Sequence, residues 1–78
     1  MYVLECSDGS YYCGITTDLK RRVDEHNTSR KGAKYTRSRR PVRLIYHRRC
    51  ANRSEAMLNE NYFKSLKRAA KESFIKNN

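Results

Sequence analysis

The sequence predicts an α+β fold: a small, largely antiparallel three-stranded sheet flanked by helices, in the order β-β-α-β-α. Three observations carry this expectation. Three short runs rich in aromatic and β-branched residues, "YVLEC", "YYCGI" and "VRLIYHR", read as strands bounded by turn residues. Two stretches, "DLKRRVDEHN" and "SEAMLNENYFKSLKRAAKESFI", carry helical spacing behind capping residues. The length of 78 residues, 37% of them hydrophobic and none Trp, bounds the chain to one domain, residues 1–78. A chain this size buries only about 60% of its unfolded surface, so strands and helices must share one small core.

The first strand is Tyr2–Cys6 and the second Tyr11–Ile15, joined by a turn at Ser7-Asp8-Gly9. Side chains alternate faces along a strand, so the turn length decides what meets. A two-residue turn pairs Glu5 with Tyr12 and sends Tyr2 and Tyr12 to opposite faces. A three-residue loop pairs Leu4 with Tyr12 and Tyr2 with Gly14, putting both tyrosines on one face with open space at Gly14. Gly9 suits the left-handed position that closes the longer loop. The local residues permit either, and only the second builds a site.

Thr17 or Asp18 caps a helix running to about Asn27. Arg22 and His26, four apart, share one of its faces beside an apolar anchor of Leu19 and Val23. The segment 28–41 has no period and contains Gly and Pro, so it reads as loop, and Val42–Arg48 is the third strand. A long helix then begins near Ser54. Ala56, Leu58, Tyr62, Phe63, Leu66, Ala69 and Ala70 fall on one broad face of it at 100° per residue. Glu60 lies just beyond that arc, where its carboxylate can look into a cleft, while Glu55 and Lys64 point toward solvent.

Lys and Arg number 18 against 8 acidic residues, a formal charge of +10. Such an excess favours a polyanion, because each neutralised phosphate releases counterions. No run of 18 apolar residues and no charged-then-apolar leader is present, so a soluble, cytoplasmic monomer without membrane contact is expected. Cys6, Cys13 and Cys50 form no Cys-x-x-Cys pair and an odd set, which suits free thiols better than a disulfide framework or zinc site.

Taken together, the residues resemble the GIY-YIG endonuclease family, in particular its small single-domain bacterial branch of uncharacterised UPF0213-like proteins. The first motif appears as Met1-Tyr2, without its opening glycine, and the second as Tyr12-Cys13-Gly14. Arg22 follows Tyr12 by ten residues and His26 follows by four more. "SEAMLNENYFK" is similar to the family's Glu-Ala-x-x-x-Glu helix, with Glu60 at the metal-binding glutamate, and "KGAKYTRSRRPV" looks like the loop of that branch. A chain opening at the motif leaves the first strand liable to fray.

The resemblance implies a metal-dependent endonuclease that hydrolyses DNA, with catalytic residues Tyr2, Tyr12, Arg22, His26 and Glu60. Glu60 would hold one divalent ion, Mg²⁺ or Mn²⁺, weakly until substrate arrives. Arg22 would fork onto the scissile phosphate. Tyr12 would activate the water, as tyrosinate base or as relay, with Tyr2 assisting or exchanging that role, and a neutral His26 could take the phenolic proton. Seven basic residues lie from Arg30 to Arg43. Arg30, Lys31, Lys34, Arg37, Arg39 and Arg40 are expected on backbone phosphates, with Tyr35 stacking on an unpaired base. The alternatives are a non-catalytic nucleic-acid-binding module of the same fold and, from size and charge alone, an RNA-associated protein.

Overall fold

The structure is a computed structural model that describes residues 1–77. Its elements run β1 (Tyr2–Glu5), β2 (Tyr11–Gly14), α1 (Leu19–Thr28), α2 (Lys34–Arg37), β3 (Arg43–His47), α3 (Arg53–Ser65) and α4 (Arg68–Asn77). The sheet is antiparallel throughout, in the order β2-β1-β3. The fold is thus the α+β architecture the sequence implies, with two more helices than the sequence shows.

The hairpin takes the longer loop. Tyr2 pairs with Gly14, Val3 with Cys13, Leu4 with Tyr12 and Glu5 with Tyr11. The Cys6 N–H donates to the Ser10 carbonyl at 2.8 Å, and Gly9 closes the loop at φ 84°. Asp8 tightens it by accepting from the Ser10 hydroxyl and N–H. This register sorts the side chains into two layers. Tyr2, Leu4, Cys6 and Val42 pack with Tyr12, Leu19, Val23 and Leu44 on the α1 face. Met1, Val3, Cys13, Tyr46 and Phe63 pack with Ile15, Leu66, Phe74 and Ile75 on the α3–α4 face.

β1 does not fray. As the central strand it pairs on both sides, and Tyr2, Val3 and Leu4 are fully buried. Each large apolar side chain covered this way contributes about 1.5–3 kcal/mol. A bulge between Val3 and Leu4 lets β3 carry one extra residue opposite them.

Asp18 caps α1 by accepting from the Arg21 N–H, and Asn52 caps α3 by accepting from the Glu55 N–H. Glu55 reaches back to the Ala51 N–H, completing a reciprocal cap at the start of α3.

The second half corrects the expected long helix. It breaks at Leu66, which is extended (φ −75°, ψ 147°), and a separate helix, α4, starts at Arg68. Ser65 donates its hydroxyl to the Tyr62 carbonyl, competing with the helical ladder at the break. Only Ala56 and Phe63 of the expected stripe are buried. Leu58 and Tyr62 are 71% and 58% exposed, because Phe74 and Ile75 of α4 supply the apolar cover instead. The segment 28–41 is likewise not all loop, since one turn of helix, α2, lies inside it. All three cysteines are free thiols.

Candidate active site

Gly14 explains how two tyrosines and a glycine share a hairpin. A Cβ built on Gly14 would stand 2.5 Å from the Tyr2 hydroxyl oxygen and 2.7 Å from Cζ. Glycine therefore leaves the lane in which the Tyr2 ring crosses β2 toward α1. There the hydroxyl meets His26 Nε2 at 2.8 Å. Tyr12 lies on the same face, its ring centroid 6.5 Å from that of Tyr2 and 5.1 Å from that of His26.

α1 delivers the other two groups from one face. Arg22 lies beside the Tyr2 hydroxyl, and its Nη1 donates to Glu25 Oε1 at 3.1 Å and to the Lys31 carbonyl at 2.7 Å. His26, one turn on, is fully buried. Its Nδ1 is 2.8 Å from the Thr36 hydroxyl, and the Ala33 N–H lies 3.3 Å away. Tyr2, Tyr12, Arg22 and His26 thus come together.

Burial drives the electrostatics. It pushes the Tyr2 phenol up to about 12, with the Arg22 guanidinium acting the other way. Burial and then the Arg22 cation pull His26 down to about 4, with Arg40 adding to the effect and Glu25 opposing it. At neutral pH the pair is a neutral phenol bonded to a neutral imidazole. Ionising Tyr2 at pH 7 would cost about 7 kcal/mol. Tyr12, half-buried at the rim, is the more accessible phenol.

Glu60 stands apart from these four. α3 packs on the opposite face of the sheet, and Glu60 lies close enough to the Cys13 thiol to help burial raise it to about 11. Its carboxylate pairs loosely with Lys64, 3.6 Å away. β2 is an edge strand, so the two faces meet along its outer rim. A shallow groove of about 220 Å³ opens there, lined by Tyr11, Tyr12, Cys13, Tyr35, Phe63, Lys64 and Lys71. Among the described residues no three His, Cys, Asp or Glu gather into a metal cage. A single carboxylate of hard oxygens fits an ion that keeps most of its water, such as Mg²⁺, and not a closed zinc site.

The basic segment divides into two sets. Arg30, Lys31, Lys34 and Arg37 are exposed, and among the described residues their side chains have no ion pair or hydrogen bond. Arg40 is a helix clamp: its guanidinium donates to the carbonyls of Glu25, His26 and Ser29 at the end of α1. Arg39 is tied to Asp8 at 3.0 Å and to the Tyr35 carbonyl, with its guanidinium 3.9 Å from the Tyr35 ring centroid. Tyr35, 38% exposed, stacks on Tyr12 at 6.1 Å. The column Arg39–Tyr35–Tyr12–His26 therefore runs from the surface to the buried imidazole.

Two features escape the sequence reading. Thr36, the buried partner of His26, sits where no period signals structure. Arg48, Arg49 and Arg53 line a larger cavity of about 860 Å³ with Tyr2, Leu19 and Thr17, at the end of the sheet. The run "HRRC" is its only signal in the sequence, and it begins at the end of the third expected strand and runs past it.

The GIY-YIG catalytic domain family matches residues 1–73. The whole chain is 59% identical to a UPF0213 protein of Streptococcus pneumoniae and covers 78% of that protein. It is 50% identical over 76 residues to a UPF0213 protein of Desulfotalea psychrophila, spanning 97% of this chain and 69% of that one. Among solved structures, it is similar to the solution NMR structure of the UPF0213 protein BH0048 from Bacillus halodurans. The TM-score is 0.62 at 48% identity, over 96% of this chain and 79% of that one.

Proposed function

The chain belongs to the GIY-YIG catalytic domain family, a nuclease family that acts on nucleic acid with divalent metal, and on that premise we propose that residues 1–78 form a metal-dependent endonuclease hydrolysing phosphodiester bonds in DNA. The observation that carries the reading is the buried Tyr2–His26 pair set between Tyr12 and Arg22 on one face. Among the described residues no helix is long and apolar enough to cross a membrane.

Each side chain has a task in this reading. Arg22 is held by Glu25 and the Lys31 carbonyl and offers its remaining donors to a phosphate at the rim of β2. Tyr12 orients and activates the attacking water, since the raised pKa of Tyr2 argues against Tyr2 as base. Tyr2 and His26 hold that phenol and Arg22 in register. Glu60 would hold the metal, Mg²⁺ or Mn²⁺, which when bound supplies positive charge for the developing phosphorane. Arg30, Lys31, Lys34 and Arg37 would take flanking phosphates, and Tyr35 an unpaired base. Lys64 and Lys71 would take the same role along the groove. Arg39 and Arg40 would serve indirectly, by fixing Tyr35 and α1.

The test is cleavage by purified protein of a panel of nicked, flapped and branched DNA, with the matching RNAs, in Mg²⁺, in Mn²⁺ and in EDTA. Metal-dependent cutting of DNA is expected. Binding without cutting on every substrate would favour the non-catalytic module.

A further inference from the structure

Thr36 is fully buried although its neighbours Tyr35 and Arg37 are exposed. Its hydroxyl lies 2.8 Å from His26 Nδ1 and 2.9 Å from the Ala33 carbonyl oxygen. The Thr36 hydroxyl donates its single proton to the Ala33 carbonyl oxygen, which leaves Thr36 Oγ1 as an acceptor toward His26. Nδ1 then carries the ring proton. A neutral ring has only one, so Nε2 is bare and accepts the Tyr2 hydroxyl proton at 2.8 Å. Burial and the nearby Arg22 and Arg40 cations keep the ring neutral.

A competitor stands ready. The Ala33 N–H is aimed at the same Nδ1 from 3.3 Å, and as a donor it favours the opposite tautomer, against the shorter Thr36–Ala33 carbonyl bond at 2.9 Å. With no acceptor at Thr36, that N–H would claim the Nδ1 lone pair and the ring proton would move to Nε2. Nε2–H would then donate to the Tyr2 oxygen, and the phenolic proton would turn outward. One hydroxyl therefore chooses between two hydrogen-bond polarities.

We propose that Thr36 is a positioning residue: through the tautomer of His26 it points the Tyr2 proton inward and leaves the Tyr2 oxygen as an acceptor facing Arg22. Its effect on cleavage rests on the nuclease reading above, but its effect on the tautomer does not. Arg22 can donate to the Tyr2 oxygen only while that oxygen offers a lone pair on its side. A reversed network would leave Nε2–H and Arg22 contending for one oxygen and would aim a phenolic proton into the site.

The tautomer is measured directly by long-range ¹⁵N–¹H correlation on the histidine ring nitrogens at neutral pH. His26 should show Nδ1 protonated and Nε2 bare in the parent protein and in Thr36→Ser. Thr36→Val keeps the volume and loses the acceptor, and it should show the reverse. A parent with Nε2 protonated overturns the inference without any variant. A Thr36→Val protein that keeps the parent tautomer overturns it as well. On a substrate the parent cuts, Thr36→Val should lower kcat by about ten- to a hundredfold at unchanged KM, with Thr36→Ser near the parent. A reversed tautomer with undiminished kcat would overturn the link to catalysis. A parent that cuts nothing would sink the nuclease reading and leave the tautomer result to decide the rest.

Discussion

Replacing Gly14 by Ala should damage the site through one atom. The new Cβ would lie 2.5 Å from the Tyr2 hydroxyl oxygen, where ordinary contact begins at 3.4 Å, so the ring must retreat by roughly 1 Å. Tyr2 is only 1% exposed, and its hydroxyl bond to His26 is 2.8 Å long, a distance that tolerates neither compression nor stretch of that size. Forcing a methyl into a packed core costs about 1–3 kcal/mol. Leaving the buried His26 Nε2 without its partner costs about 1–3 kcal/mol more. The expected loss is therefore about 2–6 kcal/mol, a large share of the 5–15 kcal/mol typical of a domain. Urea unfolding reads it as a fall in midpoint at constant m. In a Tyr2→Phe background the nearest atom is gone, and Gly14→Ala should cost less. A Gly14→Ala protein within about 0.5 kcal/mol of the parent would refute the lane between Gly14 and Tyr2.

Acid should weaken the fold through His26. Its folded pKa of about 4 lies below the unfolded value, so the unfolded chain binds the extra proton between about pH 6.5 and 4. This contribution is full above pH 6.5 and is lost as pH falls through 4, worth about 3 kcal/mol in all. Ring resonances of His26 that stay still from pH 8 to 5 would agree, and a titration near 6.5 would not. Lys34→Ala with Arg37→Ala should leave stability unchanged and flatten the log–log salt slope of duplex binding, by about 0.9 for each phosphate no longer neutralised. Arg40→Ala should do the opposite, lowering the urea midpoint with the slope intact, because its guanidinium is spent on carbonyls at the end of α1. A flattened slope in Arg40→Ala would return that residue to the binding surface.

The hairpin was legible because period two leaves few choices: one loop length puts Tyr2 and Tyr12 together, and Gly9 and Gly14 both suit it. Arg22 and His26 were legible because a capped helix fixes the direction of residues four apart. Thr36 was not, since its burial depends on α2 folding back onto α1 through long-range packing that no local pattern encodes. The division among the basic residues was hidden for the same reason. Arg37 and Arg40 look alike in the chain and differ only in which carbonyls come near. The break at Leu66 carries no Gly or Pro, so helical periodicity ran on through "SLKRAAK" and counted Leu58 and Tyr62 as core. Glu60 fell at the edge of that arc, and the structure keeps it at the margin, across β2 from the tyrosines.

Glu60 is thus the residue on which the account turns. Glu60→Gln keeps size and helix propensity and removes the charge that binds a hard cation. Glu55→Gln, in the same helix, keeps the reciprocal cap at Ala51 and serves as the control. With a substrate the parent cuts in Mg²⁺, Glu60→Gln should bind DNA at least as well as the parent and cut at least about a thousandfold more slowly, which is roughly 4 kcal/mol or more of lost transition-state stabilisation. Glu55→Gln should cut near the parent rate. If the two variants cut alike, or if the parent cuts as fast in EDTA as in Mg²⁺, the metal-dependent nuclease is contradicted.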